Sequence, residues 1–211
     1  MNNDIFLKID IEALLKNDRK GAKRQLQIAN RAIELISTKS VAEFSFEALA
    51  KKCRVTRTLI YRYFPTYESL LVFLSMLIRH RYQEMVIEKM KSEKGKLWNN
   101  YLSAALDWVD VYPHDASVWL IYFHQCTVEK RLAQHHHELV EMGATRIAQL
   151  LKMAAENGEL SVDSKKISSH AKSIQFMITG YLFARATEDR RLSEWQALKE
   201  NVMVNCTVIL K

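Results

Sequence analysis

Glycine and proline are scarce here, five and two in 211 residues. Tight turns, hairpins and bulges draw on both, so the shortage excludes an architecture of short strands joined by turns. No stretch keeps a period-two alternation long enough to form a sheet. Cysteine is also rare. Cys53, Cys126 and Cys206 lie far apart, match no C-x-x-C or metal-ligand spacing, and are odd in number. That excludes a disulfide framework and suits a reducing compartment. Nothing approaches the roughly 18–20 apolar residues that a membrane span needs. The opening MNNDIFLKIDIEALL carries Asp4, Asp10 and Glu12 and no basic leader, so the expected location is the cytoplasm, with no membrane partner. GxGxxG, phosphate-loop, HExxH and GxSxG patterns are missing as well. Catalysis is therefore the rival class, without a nucleophile–base pair or ligand cluster to support it, and no cofactor is expected.

Apolar residues are plentiful, 48% of the chain, enough for a substantial core. They recur at helical spacing, and the expected fold class is all-α. The net charge of +7 is unevenly placed. Residues 19–63 hold eleven Lys/Arg against three Glu, whereas residues 71–211 hold 18 against 16. Positive charge gathered in one segment fits a phosphate backbone; the bland reading is a solvated basic face.

That segment contains the most informative stretch, Phe44 to Leu71, FSFEALAKKCRVTRTLIYRYFPTYESLL. Ser45 suits an N-cap, and Phe46, Leu49 and Ala50 share one side of the helix it opens. Cys53-Arg54-Val55 makes a turn. Thr56 caps a second helix whose inward residues are Ile60 and Phe64, at i and i+4. Arg57, Thr58, Tyr61 and Arg62 are left on or beside the outer face, as a major-groove reader requires. Pro65 ends this helix, because the residue before a proline avoids α geometry.

With Ala50, Val55, Thr56, Arg57, Ile60-Tyr61, Phe64, Glu68 and Leu70-Leu71 in order, the run resembles the helix-turn-helix of the TetR family of transcriptional regulators. There are two departures. Arg54 stands where the family usually has Gly, and Tyr67 where many members carry a Lys that reaches a phosphate. The resemblance implies a three-helix DNA-binding head, a helical ligand-binding and dimerisation core, and about nine helices. It implies a homodimer on a palindromic double-stranded DNA operator, most simply a repressor released by a small, largely apolar effector. Control by a protein partner, or none, is the alternative. The DNA-binding residues implied are Ser45, Arg54, Thr56, Arg57, Thr58, Tyr61, Arg62, Tyr63 and Tyr67. The expected divisions are an arm at 1–20, a helix-turn-helix domain at 21–65 (motif 45–64), and a regulatory and dimerisation domain at 66–211.

The first firm helix is expected to run to about Thr38, with Ala29, Ile33 and Ile36 along one face and Ile28, Ala32 and Leu35 beside it. Lys20, Lys23 and Arg24 at its start are candidate phosphate contacts. A long helix follows from Thr66 or Tyr67 to about Lys91, then a break around Gly95. Five further helices are expected near 96–112, 114–128, 130–157, 163–187 and 193–210, with Gly158 as a C-terminal cap. Large side chains crowd the middle of the chain. Trp108, Trp119, Tyr122, Phe123, His124, Phe176 and Met177 are the candidate effector-binding residues, with Asp107 a candidate polar group and core packing as the alternative. Ile174, Ile178, Tyr181 and Leu182 form one late stripe, and Trp195, Leu198, Val202, Cys206 and Ile209 another. In a TetR-like chain these two stripes are the expected dimer interface. His135-His136-His137 point about 100° apart on a helix, so a solvated face is expected there and no metal.

Overall fold

The computed structural model describes residues 19–38, 44–92 and 96–210. The expectations for the N-terminal arm before residue 19 and for the break around Gly95 fall outside these. Among the described residues there are nine α-helices, one short 3-10 turn and no strand. They are α1 (Arg19–Thr38), α2 (Phe46–Cys53), α3 (Arg57–Tyr63), α4 (Tyr67–Ser92), α5 (Leu97–Val111), α6 (Pro113–Cys126), α7 (Lys130–Glu156), α8 (Ile167–Thr187) and α9 (Leu192–Val208).

Local chemistry sets the helix ends. At the start of α4 the Ser69 N–H donates to Thr66 Oγ1 at 3.0 Å and the Thr66 N–H to Ser69 Oγ at 3.1 Å. This reciprocal cap satisfies amides that have no partner in a first turn. Pro113 opens α6 at the one helical position where its missing N–H costs nothing. After α7, Gly158 adopts φ +73°, and the Gly158 and Glu159 amides donate back to Ala155 and Ala154 carbonyls at 3.0 and 2.9 Å. The left-handed cap read from the sequence is what ends that helix.

The helices gather into two compact units. One comprises the described residues up to Arg81 together with His114–His136; the other comprises Tyr82–Pro113 and the chain from His137 onward. In the first, Ile28, Ala29, Ala32, Ile33 and Ile36 of α1 are buried with Leu49 of α2, Ile60 of α3 and Leu70 and Leu74 of α4. Arg81 donates to Asp115 Oδ1 at 2.7 Å and also to the side-chain oxygen of Asn30. In the second, Trp98, Tyr101, Leu102, Ala105 and Leu106 of α5 form a core with Ile147, Leu150 and Leu151 of α7. The Trp98 indole N–H donates to Thr207 Oγ1 at 3.2 Å, tying α5 to α9.

The two late stripes sit differently from their expected place. Ile174, Ile178, Tyr181, Trp195 and Cys206 are buried in the second unit's own core, and Leu182, Leu198, Val202 and Ile209 pack against it. The first five are already covered within one chain, because α8 and α9 close with that face onto α5, whereas Leu182, Leu198, Val202 and Ile209 are half-buried. The large apolar side chains still facing outward on α8 and α9 are others: Leu192 is 67% exposed, Phe176 65%, Val204 57% and Val208 52%.

Candidate nucleic-acid interface

The interface is built on two short helices that cannot hold themselves. Eight and seven residues are too few for a stable isolated helix in water, so α2 and α3 depend on caps and on buried anchors. Ser45 Oγ accepts the Ala48 N–H at 3.1 Å, and Thr56 Oγ1 accepts the Leu59 N–H at 3.3 Å. Both are the N-caps read from the sequence. Ile60 is fully buried, and Phe64, also buried, meets the Phe73 ring edge-on at 5.3 Å between centroids.

With Ile60 and Phe64 inward, Arg57, Thr58 and Arg62 are exposed and Tyr61 is 40% exposed. The Arg57 guanidinium donates to the Tyr61 hydroxyl at 3.3 Å and lies 5.5 Å from that ring's centroid. Arg62 stands 5.4 Å from the Tyr63 ring centroid. Each arginine is thus braced over a phenol one turn or one residue away, which leaves it less rotamer freedom to lose on binding. Phe46 packs edge-on against Tyr61 at 5.1 Å, so α2 helps to orient the outer face of α3.

Two tyrosines of the expected set are less available than the sequence suggests. Tyr63 is only 8% exposed, and it reaches the surface in a hollow that it shares with Arg62, Lys20, Lys23 and Arg24. The Tyr67 hydroxyl is buried with no hydrogen-bond partner among the described residues, and burial raises its pKa. Its ring packs on Phe44 at 5.2 Å and on the cluster of Leu71, Tyr122 and Leu132. Tyr67 therefore faces inward and does not present its hydroxyl to a phosphate. The reason is helical spacing: Leu71, four residues on, draws the same face of α4 into the core.

The turn between α2 and α3 contains the one non-glycine residue at positive φ among the described residues, Arg54, at φ 54° and ψ 47°. Its amide donates to the Lys51 carbonyl at 3.2 Å and the Val55 amide to the Ala50 carbonyl at 3.0 Å. This is a left-handed C-cap made without glycine, at a cost of about 1 kcal/mol. The Arg54 side chain is exposed.

The candidate effector residues are divided between the two units. Trp119, Tyr122 and Phe123 cluster in the first unit, with Trp119 and Tyr122 stacked at 5.4 Å. Trp108 and Met177 belong to the second unit, while His124 and Phe176 are exposed. Phe176 lies two residues from the buried Ile174, which turns it to the opposite side of α8. Asp107 is already engaged, accepting from Lys199 at 2.5 Å and Lys89 at 2.8 Å. The histidine run is not a solvated face either. His135 and His136 are half-buried, His135 Nε2 is 3.2 Å from Ser75 Oγ, and the His136 ring is 4.5 Å from that of Phe123. Sequence reasoning missed Arg146, a buried guanidinium whose neighbours include the phenols of Tyr82 and Tyr101. Its place on the apolar face of α7, beside Ile147 and Leu150, was the available signal.

Residues 28–72 match the family model for bacterial regulatory proteins of the tetR family. That span runs from the middle of α1, through the two short helices, into α4. The head is that of the TetR family. No curated protein matches the chain. Among solved structures, it is similar to a TetR transcription regulator from Haloarcula marismortui, with 14% identity, 89% of this chain and 98% of that one covered, and a TM-score of 0.70. It is similar to Salmonella enterica GusR at 10% identity, 92% and 99% coverage and a TM-score of 0.71. A transcriptional regulator from Rhodococcus sp. Rha1 gives 13% identity, 88% and 95% coverage and a TM-score of 0.69. At these identities the likeness is one of fold, and it extends the TetR-like architecture beyond the head to nearly the whole chain. The TetR family consists of DNA-binding transcriptional regulators rather than enzymes, and no helix among the described residues is long and apolar enough to cross a membrane.

Proposed function

We propose that this TetR-family regulator acts as a homodimeric repressor that a small effector releases from a palindromic operator. The observation that carries the DNA half of this reading is the outer face of α3. There Arg57, Thr58, Tyr61 and Arg62 stand exposed while Ile60 is fully buried. Arg57 and Arg62 take guanine edges or phosphates, and Thr58 takes a thymine methyl or a phosphate. Tyr61 and the accessible edge of Tyr63 meet backbone oxygens. Ser45 and Thr56, at the two helix N-termini, add phosphate contacts through the amides beside them.

Two copies are needed because a palindrome requires two heads at fixed spacing. The exposed Phe176, Leu192, Val204 and Val208 are large apolar groups of α8 and α9 left for a partner. The effector reading rests on the second unit, where the Trp108 indole N–H is buried with no hydrogen-bond partner among the described residues and the Tyr82 ring meets Trp108 edge-on at 6.1 Å. Such a ligand must bind the DNA-incompetent state more tightly, and operator DNA must weaken its binding by the same factor.

The experiment is selection of bound duplexes from a random library by the full chain, followed by affinity for the winner. A palindrome with half-sites about one helical turn apart supports the reading; sequence-blind binding alone defeats it. Arg57→Ala then lowers affinity for the selected site by roughly 10- to 100-fold while sparing an unrelated duplex. Equal loss on both would make Arg57 a phosphate contact only.

A further inference from the structure

Beyond the recognition helix, the head has a second strip of positive charge. One open hollow, of about 520 Å³, is lined by Lys20, Lys23, Arg24 and Arg62. A second, of about 730 Å³, shares Arg24 and continues past Arg31 and Lys52 to Arg54. The strip therefore runs the length of α1 and ends at the turn that precedes α3. Glu34 is the single acid among the described residues lining the two hollows. Its carboxylate accepts from Arg31 at 2.9 Å and sits 3.3 Å from the Lys52 ammonium. Arg31 above all, and Lys52 with it, hold that carboxyl below its ordinary pKa.

Three observations say what this strip is for. Its concavity and sign suit a polyanionic rod rather than a small anion, since the cations are spread along a helix and do not converge on a point. Arg54 occupies a left-handed position that glycine would fill more cheaply, so its side chain, not its backbone, is the reason for its presence. Glu34 pairs with Arg31 and Lys52 and so neutralises part of the strip's positive charge.

We infer that Arg31, Lys52 and Arg54 form a second duplex-DNA surface that grips the sugar–phosphate backbone beside the major groove read by α3, with Glu34 limiting its strength. The inference rests on the DNA-binding reading but needs neither an operator nor an effector. The strip takes phosphates, so its contribution is sequence-independent and salt-sensitive. Arg57 supplies sequence preference, whereas Arg54 and its neighbours supply hold.

The test measures binding of the full chain to a 30-base-pair duplex of arbitrary sequence across a salt series. Wild type is compared with Arg54→Gly, Lys52→Gln and Glu34→Gln. Each lost phosphate contact reduces the log–log salt slope by ~0.9, which weakens binding about fivefold near ~0.15 M salt. Arg54→Gly and Lys52→Gln are each expected to show that loss. Glu34→Gln, which releases two cations from one carboxylate, is expected to tighten binding and steepen the slope by between ~1 and ~2. Arg54→Gly should weaken binding while raising the melting temperature, because it relieves the positive φ; a merely structural arginine would not move the two readouts in opposite directions. Unchanged slopes in all three variants would overturn the inference, as would weaker binding by Glu34→Gln. A failed operator search would leave these slopes readable, so the two failures are distinguishable.

Discussion

Removing the Ile60 side chain tests whether the recognition helix is held by packing or by its own propensity. α3 has seven residues and one side-chain cap, so its position is set by what it buries. Ile60 is fully buried, and Phe64, four residues on, is nearly so. Ile60→Ala deletes three carbons, a transfer loss of ~2.4 kcal/mol at ~0.8 kcal/mol for each. The closed site leaves a cavity that adds to this, for a total of about 3–4 kcal/mol, within the range for such truncations. Against a typical stability of ~5–15 kcal/mol, that is a large share. A urea titration followed by helical circular dichroism should show a lower midpoint with an unchanged slope. Tyr61→Phe, one residue along, is the control: it removes an exposed hydroxyl and should melt within ~0.5 kcal/mol of wild type. Its DNA affinity should nevertheless fall, because Arg57 loses its brace. An Ile60→Ala protein as stable as wild type would refute this account of how α3 is held. So would a Tyr61→Phe protein as unstable as Ile60→Ala.

Three further expectations follow from side chains elsewhere. Burial pushes the Asp107 carboxyl up, but Lys199 and Lys89 more than offset it, leaving it below its ordinary 3.8. A depressed value means that the stabilisation is complete above about pH 4 and is lost as the pH falls further, so the wild-type urea midpoint should drop on acidification and that of Asp107→Asn should drop less. Phe176→Glu places a charge on the exposed face of α8 and should convert a dimer to a monomer by light scattering with helicity unchanged; a dimeric variant would move the interface elsewhere. Burial pushes the Cys206 thiol up to about 12, so a disulfide reagent at pH 8 should leave it unmodified until urea unfolds the chain; rapid labelling of Cys206 in the native protein would contradict its burial.

Much of the architecture was legible because a few residues dictate it. Ser45 and Thr56 start helices through their hydroxyls, Pro113 opens α6 and Gly158 ends α7, each through a property of its own backbone or side chain. The outward set on α3 was legible because Ile60 and Phe64, four apart, leave one helix surface over. What periodicity could not decide is which partner an apolar stripe meets. Ile174, Trp195 and Cys206 look the same in sequence whether they close their own chain or join two. They close their own, and the groups left outside, Phe176 and Val204, are too sparse to announce themselves. The same limit applies to Tyr67: spacing puts it on the Leu71 side of α4, but Tyr122 and Leu132, distant in the chain, complete the cluster that takes its ring in.

The four tryptophans have a spectroscopic consequence. Trp98, Trp108 and Trp195 are buried and Trp119 is half-buried, and none lies on α1, α2 or α3. Arg185 and Arg190 stand 5.1 and 5.5 Å from the Trp195 ring centroid, so that indole's emission responds to any movement of two cations. Tryptophan emission, excited apart from that of Tyr61 and Tyr63, therefore has no source on the three helices of the head. A change in it on adding a duplex reports a rearrangement around α5, α6 or α9, where the four indoles lie. A single unlabelled titration thus reads the surroundings of those indoles separately from binding itself.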